Sequence, residues 1–226
     1  MNNLLLIDTA SPITSVALSV GSELLQQSDP GNRRAAQAAL PMISSLLQQA
    51  GLAAGQLDGI AVVTGPGSFT GIRIGIGIAQ GLCLGRGIPA LPRSTLAGYA
   101  QAAQREFGHG AYTVVLPARN DEIYAGLYQA HTASLALLGR EQVGQPGALH
   151  PVAAPPGERW TGLSNAPQSW PSIADSLGIE ITAFKQLQTP LLADLLVLAR
   201  ASLQQGHQVG AAALLPNYVK DNMQYG

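Results

Sequence analysis

Residues 63–75 read Val63-Thr64-Gly65-Pro66-Gly67-Ser68-Phe69-Thr70-Gly71-Ile72-Arg73-Ile74-Gly75. The apolar run Ile60-Ala61-Val62-Val63 that leads into them has the length and composition of a buried strand, and Gly-Pro-Gly ends it. A helix follows, with Ser68 or Thr70 able to cap it through a side-chain oxygen. Strand, glycine turn and helix N-terminus in that order have the form of a phosphate cradle, because first-turn amides attract anions. The spacing then fails both phosphate templates. No Lys-Ser/Thr pair follows Gly71, so the run is not a Walker loop. Gly65, Gly67 and Gly71 are spaced one residue too widely for the G-x-G-x-x-G dinucleotide fingerprint.

The helix beyond the turn carries the next signal. Gly71 and Gly75 are four apart, as are Gly77, Gly81 and Gly85. Residues at i, i+4 and i+8 share a helix face, so the last three form a stripe without side chains. Each interior glycine costs roughly 0.5–1 kcal/mol relative to alanine, which calls for a backbone approaching closely at that stripe. Ile74, Ile78 and Leu82 supply an apolar ridge beside it. The approaching backbone is either the chain's own or that of a partner. Arg73 is the only charge between Val63 and Leu84, and it reads equally as a surface clamp or as an anion or partner contact.

Outward from this stretch, a strand at Leu4–Ile7 ends at Asp8-Thr9-Ala10-Ser11-Pro12, and 14–20 and 23–26 continue an antiparallel meander. A helix is expected from Arg33 to Ala50, with Leu40, Ile43, Leu46 and Leu47 in period, Pro41 kinking it and Gly51 stopping it. Residues 88–92 form a strand interrupted by prolines, and Ser94-Thr95 cap a helix through Leu96, Tyr99 and Ala103. The pattern restarts with strands at 112–116 and 122–128. Residues 142–172, rich in Pro and Gly, give a weak strand signal near Trp160, and a strong apolar helix spans Leu191–Leu203. Two halves that each open on a meander and proceed to helices make an α/β fold with mixed sheets flanked by helices. The expected lobes are residues 1–105 and 106–226, the last helix packing back on the first lobe.

Composition narrows the function. Hydrophobic residues are 46% of the 226 and charged residues 11%, against about 25% charged in an average protein, so part of a weakly polar surface is expected to be covered by a partner. A net charge of -1 gives no electrostatic footprint for holding nucleic acid unaided. The single Cys83 lies in an apolar helical context and reads as a core residue. The start of the chain lacks the basic and apolar regions of a signal peptide, and no run reaches the ~20 residues of a membrane span, so a cytoplasmic location and no membrane partner are expected. The four histidines have no metal-ligand spacing, and no Ser-His-Asp or Cys-His order supports a peptidase. Asp8 and Thr9, at the end of a first strand, and Ser68 are the weak candidates for nucleotide contact. Their alternative role is satisfying turn amides.

Ile7-Asp8-Thr9-Ala10, the Gly65–Gly75 run, Ala118-Arg119 with Glu122-Ile123-Tyr124, and the tail Pro216-Asn217-Tyr218-Val219-Lys220 together resemble the bacterial TsaB (YeaZ) family. The resemblance runs from residue 4 to about residue 222, with little from 130–190. It implies a two-lobed fold of the actin-like ATPase superfamily. It also implies a non-catalytic role in placing a threonylcarbamoyl group on N6 of adenosine 37 in tRNAs that read codons beginning with A. A TsaD-like catalytic paralogue and a TsaE-like ATPase are the implied partners, with a homodimer when the chain is alone and tRNA reached only through the complex. Docking would use the helix at 33–50 and the helix at 71–86, through Leu40, Ile43, Leu47, Ile74, Gly77, Ile78, Gly81, Leu82 and Gly85. No metal or catalytic residue is expected, and ATP or ADP is expected, if anywhere, at a subunit interface. Two departures agree with this. The helix that carries a His-x-x-x-His metal motif in the catalytic paralogue has no histidine here, and Pro117 stands where many relatives have an aspartate. In active actin-like ATPases a glycine-containing turn after strand one admits the phosphate, and Ala10 stands there instead. The alternative is an autonomous actin-like ATPase or small-molecule kinase, resting on fold analogy.

Overall fold

The computed structural model describes residues 2–31, 35–132, 134–166 and 168–219 of the chain. Arg33 and Arg34, at the expected helix start, and Lys220 of the tail motif lie outside the described residues. Among the described residues, ten strands and five α-helices fall into two units.

In the first unit, β1 (Leu4–Asp8), β2 (Thr14–Val20) and β3 (Glu23–Asp29) form the antiparallel meander, and β4 (Gly59–Gly65) and β5 (Ala90–Ser94) run parallel to β1, giving the order β3-β2-β1-β4-β5. All of β1 and β4 is buried, as expected of central strands covered on both faces. Pro92 is accommodated because β5 lies at the sheet edge. Helix α1 (Ala35–Gln49) runs on through Pro41, which sits exposed on its outer face, and packs on β2 and β3. Helix α2 (Phe69–Arg86) follows β4 and packs on it.

The second unit repeats the plan. Strands β6 (Gly110–Pro117), β7 (Ile123–His131) and β8 (Ser134–Gly144) form its meander, and β9 (Arg159–Leu163) and β10 (Glu180–Lys185) add in parallel, in the order β8-β7-β6-β9-β10. Asn120 and Asp121, both at φ 57°, turn the β6–β7 hairpin. Strands β8 and β10 escape a sequence reading because they are edge strands whose side chains are almost all exposed or half-buried. The short α4 (Trp170–Leu177) escapes it because it buries only Ile173 and Leu177. Residues 142–172 thus hold the end of β8, β9 and the start of α4.

The boundary between units differs from the expected 105/106. Helix α3 (Thr95–Phe107) contributes Leu96, Ala100 and Ala103 to the second core, beside Tyr112, Val114 and Leu163, so the division falls after Thr95. Helix α5 (Leu192–Gln204) belongs to the first unit, with Leu195, Leu196 and Ala199 packed into a core built on β1, β4 and β5. Apolar periodicity identifies a helix's buried face, but not the sheet that buries it.

Candidate functional site

Both candidate regions lie in the first unit, where β1 and β4 end and α2 begins. Asp8 closes β1, and its carboxylate accepts hydrogen bonds from the amides of Ala10 (3.0 Å) and Ser11 (3.1 Å) and from the Ser11 hydroxyl (2.6 Å). These bonds fold residues 8–11 into a tight turn aimed at the start of α2. Ala10 O accepts from the Ser68 amide at 2.9 Å, and the Thr9 hydroxyl donates to Gly71 O at 2.7 Å. The approach is so close that a Cβ on Gly67 would stand 2.6 Å from Ala10 O, and one on Gly71 or Gly75 would collide with Thr9. Three of the glycines in the opening stretch are therefore explained by the chain's own β1 turn.

The same geometry answers the cradle reading. Ser68 caps α2, its Oγ accepting from the Gly71 amide at 3.2 Å and its carbonyl from the Ile72 amide at 2.8 Å. The amides of Ser68 and Gly71 are already bonded, and the oxygens of Thr9 and Ala10 crowd the turn from the other side. The structure brings Asp8, Thr9 and Ser68 together, and each directs its polar atoms into this turn. Burial raises the Asp8 carboxyl above its ordinary 3.8, outweighing the hydrogen bonds from Ser11 and Ala10. A carboxyl that titrates higher folded than unfolded contributes stability that is complete below the unfolded value and lost as pH rises through the folded one. Asp8→Asn keeps an acceptor for the amides and a donor for the Ser11 hydroxyl. It is expected to abolish this acid-side gain and to leave the chain at least as stable as wild type at neutral pH. Urea titrations between pH 4 and 7 check this; an unchanged pH profile in Asp8→Asn refutes it.

The second half of α2 behaves differently. Its buried face is Ile72, Ile76, Ala79 and Cys83, in register with Gly71 and Gly75. Burial also raises the Cys83 thiol, which sits in the core as expected. Gly77, Gly81 and Gly85 are exposed on the opposite side, and a Cβ on any of them would meet nothing within 4 Å. Ile74, Ile78 and Leu82 are half-buried beside them, and Leu84 is 74% exposed. Arg73 lies over the Phe69 ring at 3.7 Å, near the N-terminal end of this face. On α1, Leu40 is 52% exposed, but Ile43 and Leu47 are buried in the first unit's core. Those two are corrected as docking residues, because they share the face of α1 that carries Ala39, Met42 and Leu46.

The tail supports α2 from behind. Gln80 Nε2 donates to Ala211 O (3.2 Å) and Leu214 O (3.0 Å), and the Asn217 amide donates to Thr64 O at 2.9 Å. Residues 211–217 thus form a strap that runs from α2 to the end of β4, beside the Gly65-Pro66 turn, whose peptide bond is cis. Its sequence carried a motif but no sign of where it docks. Pro117 ends β6, in the second unit. Among the described residues no group of His, Cys, Asp and Glu is arranged to hold a metal ion, and no helix is long and apolar enough to cross a membrane.

Residues 31–224 match the family described as TsaD, tRNA N6-adenosine threonylcarbamoyltransferase. The tRNA threonylcarbamoyladenosine biosynthesis protein TsaB of Escherichia coli K12 is 32% identical over 222 residues, 97% of this chain and 95% of that protein. Among solved structures, YeaZ from Pseudomonas aeruginosa is 36% identical, with 96% of this chain and 100% of that one covered and a TM-score of 0.78. Another structure from Pseudomonas aeruginosa, described as similar to peptidase YeaZ, is 35% identical over 97% of this chain and 100% of that one, at a TM-score of 0.80. With the repeated sheet order of the two units, these likenesses give the actin-like ATPase fold.

Proposed function

Since this chain belongs to the TsaB family, within the wider TsaD family, and acts in the biosynthesis of tRNA threonylcarbamoyladenosine, we propose that its own part is a non-catalytic one. It scaffolds and activates a TsaD-like paralogue, together with a TsaE-like ATPase, for transfer of the threonylcarbamoyl group to adenosine 37 of the tRNA. The observation that carries this reading is the open glycine face of α2. Three exposed glycines within the helix cost together roughly 1.5–3 kcal/mol of helix stability, and nothing among the described residues uses the space they leave. A second backbone lying along Gly77, Gly81 and Gly85, flanked by Ile74, Ile78 and Leu82, uses it, and the exposed Leu40 of α1 is a further contact. In this reading the chain is a homodimer when alone, tRNA is met only in the assembly, and the work is cytoplasmic. ATP or ADP binds at a subunit interface rather than to Asp8, Thr9 and Ser68 alone, whose polar atoms serve the β1 turn.

The test is reconstitution. Threonylcarbamoyl transfer to tRNA is measured with the catalytic paralogue and the ATPase, with and without this chain. Transfer is expected to depend on the chain, and equal transfer in both reactions overturns the proposal.

A further inference from the structure

The C-terminal end of α2 borders an open groove of about 410 Å³. One wall is α2 itself, through Cys83 and Leu84, and Ile88 and Pro89 continue it toward β5. Val209 and Ala211, at the approach to the strap, form the other wall. Both walls are held by the backbone. Val209 and Ala90 exchange two hydrogen bonds of 2.9 Å, which tie the far wall to the sheet edge, and Gln80 of α2 holds Ala211 O. Gly87, left-handed at φ 66°, closes α2 with its amide donating to Cys83 O. The groove is therefore formed in the free chain.

Its chemistry and position select the occupant. Of the nine described residues that line it none is charged, and Gln208 and the Cys83 thiol are the only polar side chains. A polar metabolite finds too few groups there to orient it, whereas an apolar side chain needs none. Leu84 stands three and seven residues beyond Gly81 and Gly77, on their side of α2, and is 74% exposed. It is at once the edge of the glycine face and a wall of the groove. A backbone lying along the glycines gains close approach but buries little side-chain area. The apolar area that holds it comes from beside the stripe, and interface energy concentrates where an anchor side chain fills a pocket. We propose that this groove receives an apolar anchor, of leucine, methionine or phenylalanine type, from the segment of the TsaD-like paralogue that lies along α2. The proposal rests on the docking of that paralogue on α2 and adds the site that supplies its affinity.

Gly210→Phe in the full chain tests it. Gly210 also lines the groove, at φ −72° and ψ 161°, a conformation open to any residue, and a Cβ there meets nothing within 4 Å. The ring takes the anchor's space without straining the backbone. Pairing with the paralogue, read by titration calorimetry, is expected to weaken about tenfold or more, the loss of one anchor. Leu84→Ala, which shortens a wall at an exposed position, is expected to weaken it about three- to tenfold. Sedimentation follows the self-association of both variants, since a second copy is the rival occupant. A loss confined to self-association, or wild-type pairing with the paralogue in either variant, overturns the groove. Gly81→Leu, measured alongside, separates the two levels. If it loses pairing while either groove variant does not, the groove fails and the docking face stands; if all three pair normally, the docking face fails as well.

Discussion

Gly71→Ala is expected to lower the chain's stability by about 3 kcal/mol, the range of a substitution that drives a new methyl group into fixed backbone. The added carbon would collide with the carbonyl oxygen of the buried Thr9, which follows directly on the fully buried β1 and has little freedom to retreat. Relief requires α2 to slide away from β1, and that motion also strains the bond from the Thr9 hydroxyl to Gly71 O. Gly81→Ala, ten residues further along the same helix, is the internal control. Its methyl group meets open space, so helix propensity alone acts and the free chain gains roughly 0.5–1 kcal/mol. Denaturant titrations of the two variants check the pair. Equal effects would mean that the two ends of α2 are packed alike.

Gly81→Leu is expected to weaken pairing with the catalytic paralogue by about 100-fold or more, equivalent to ~2.8 kcal/mol, while the free chain stays folded. The side chain leaves from an exposed face where its Cβ meets nothing within 4 Å, so the fold is expected to survive. A partner backbone that uses the missing Cβ atoms cannot approach past an isobutyl group. Titration calorimetry against the paralogue reads the affinity, and circular dichroism confirms the fold. Pairing at wild-type affinity would remove the glycine face from the interface and leave the exposed Leu40 and Leu84 as the surfaces to test next.

Much of the fold follows from local chemistry. The meanders, the buried strand at 60–63 and the glycine-punctuated entry to α2 each carry their own signal in residue type and period. The weak points were elements with little buried surface. Strands β8 and β10 line sheet edges, and α4 has two buried residues, so neither alternation nor helical period stands out. The candidate site was half readable. The glycines of α2 announced a close approach, but two different approaches share the helix. Gly71 and Gly75 make room for Thr9 of the same chain, whereas Gly77, Gly81 and Gly85 make room for nothing among the described residues.

The residue sequence alone settled that a strand passes through a Gly-Pro-Gly turn into a helix too rich in glycine to be independent of its surroundings, and that the turn fits no phosphate template. Those are matters of residue type and spacing, and spacing survives without coordinates. Which surroundings each glycine answers to was settled only by tertiary structure, because helical period gives a direction about an axis and not what stands there. Ile43 and Leu47 show the same limit, since an apolar stripe reads identically whether it faces its own sheet or another chain. The docking of α5 beside β5 depends on contacts between residues about a hundred positions apart.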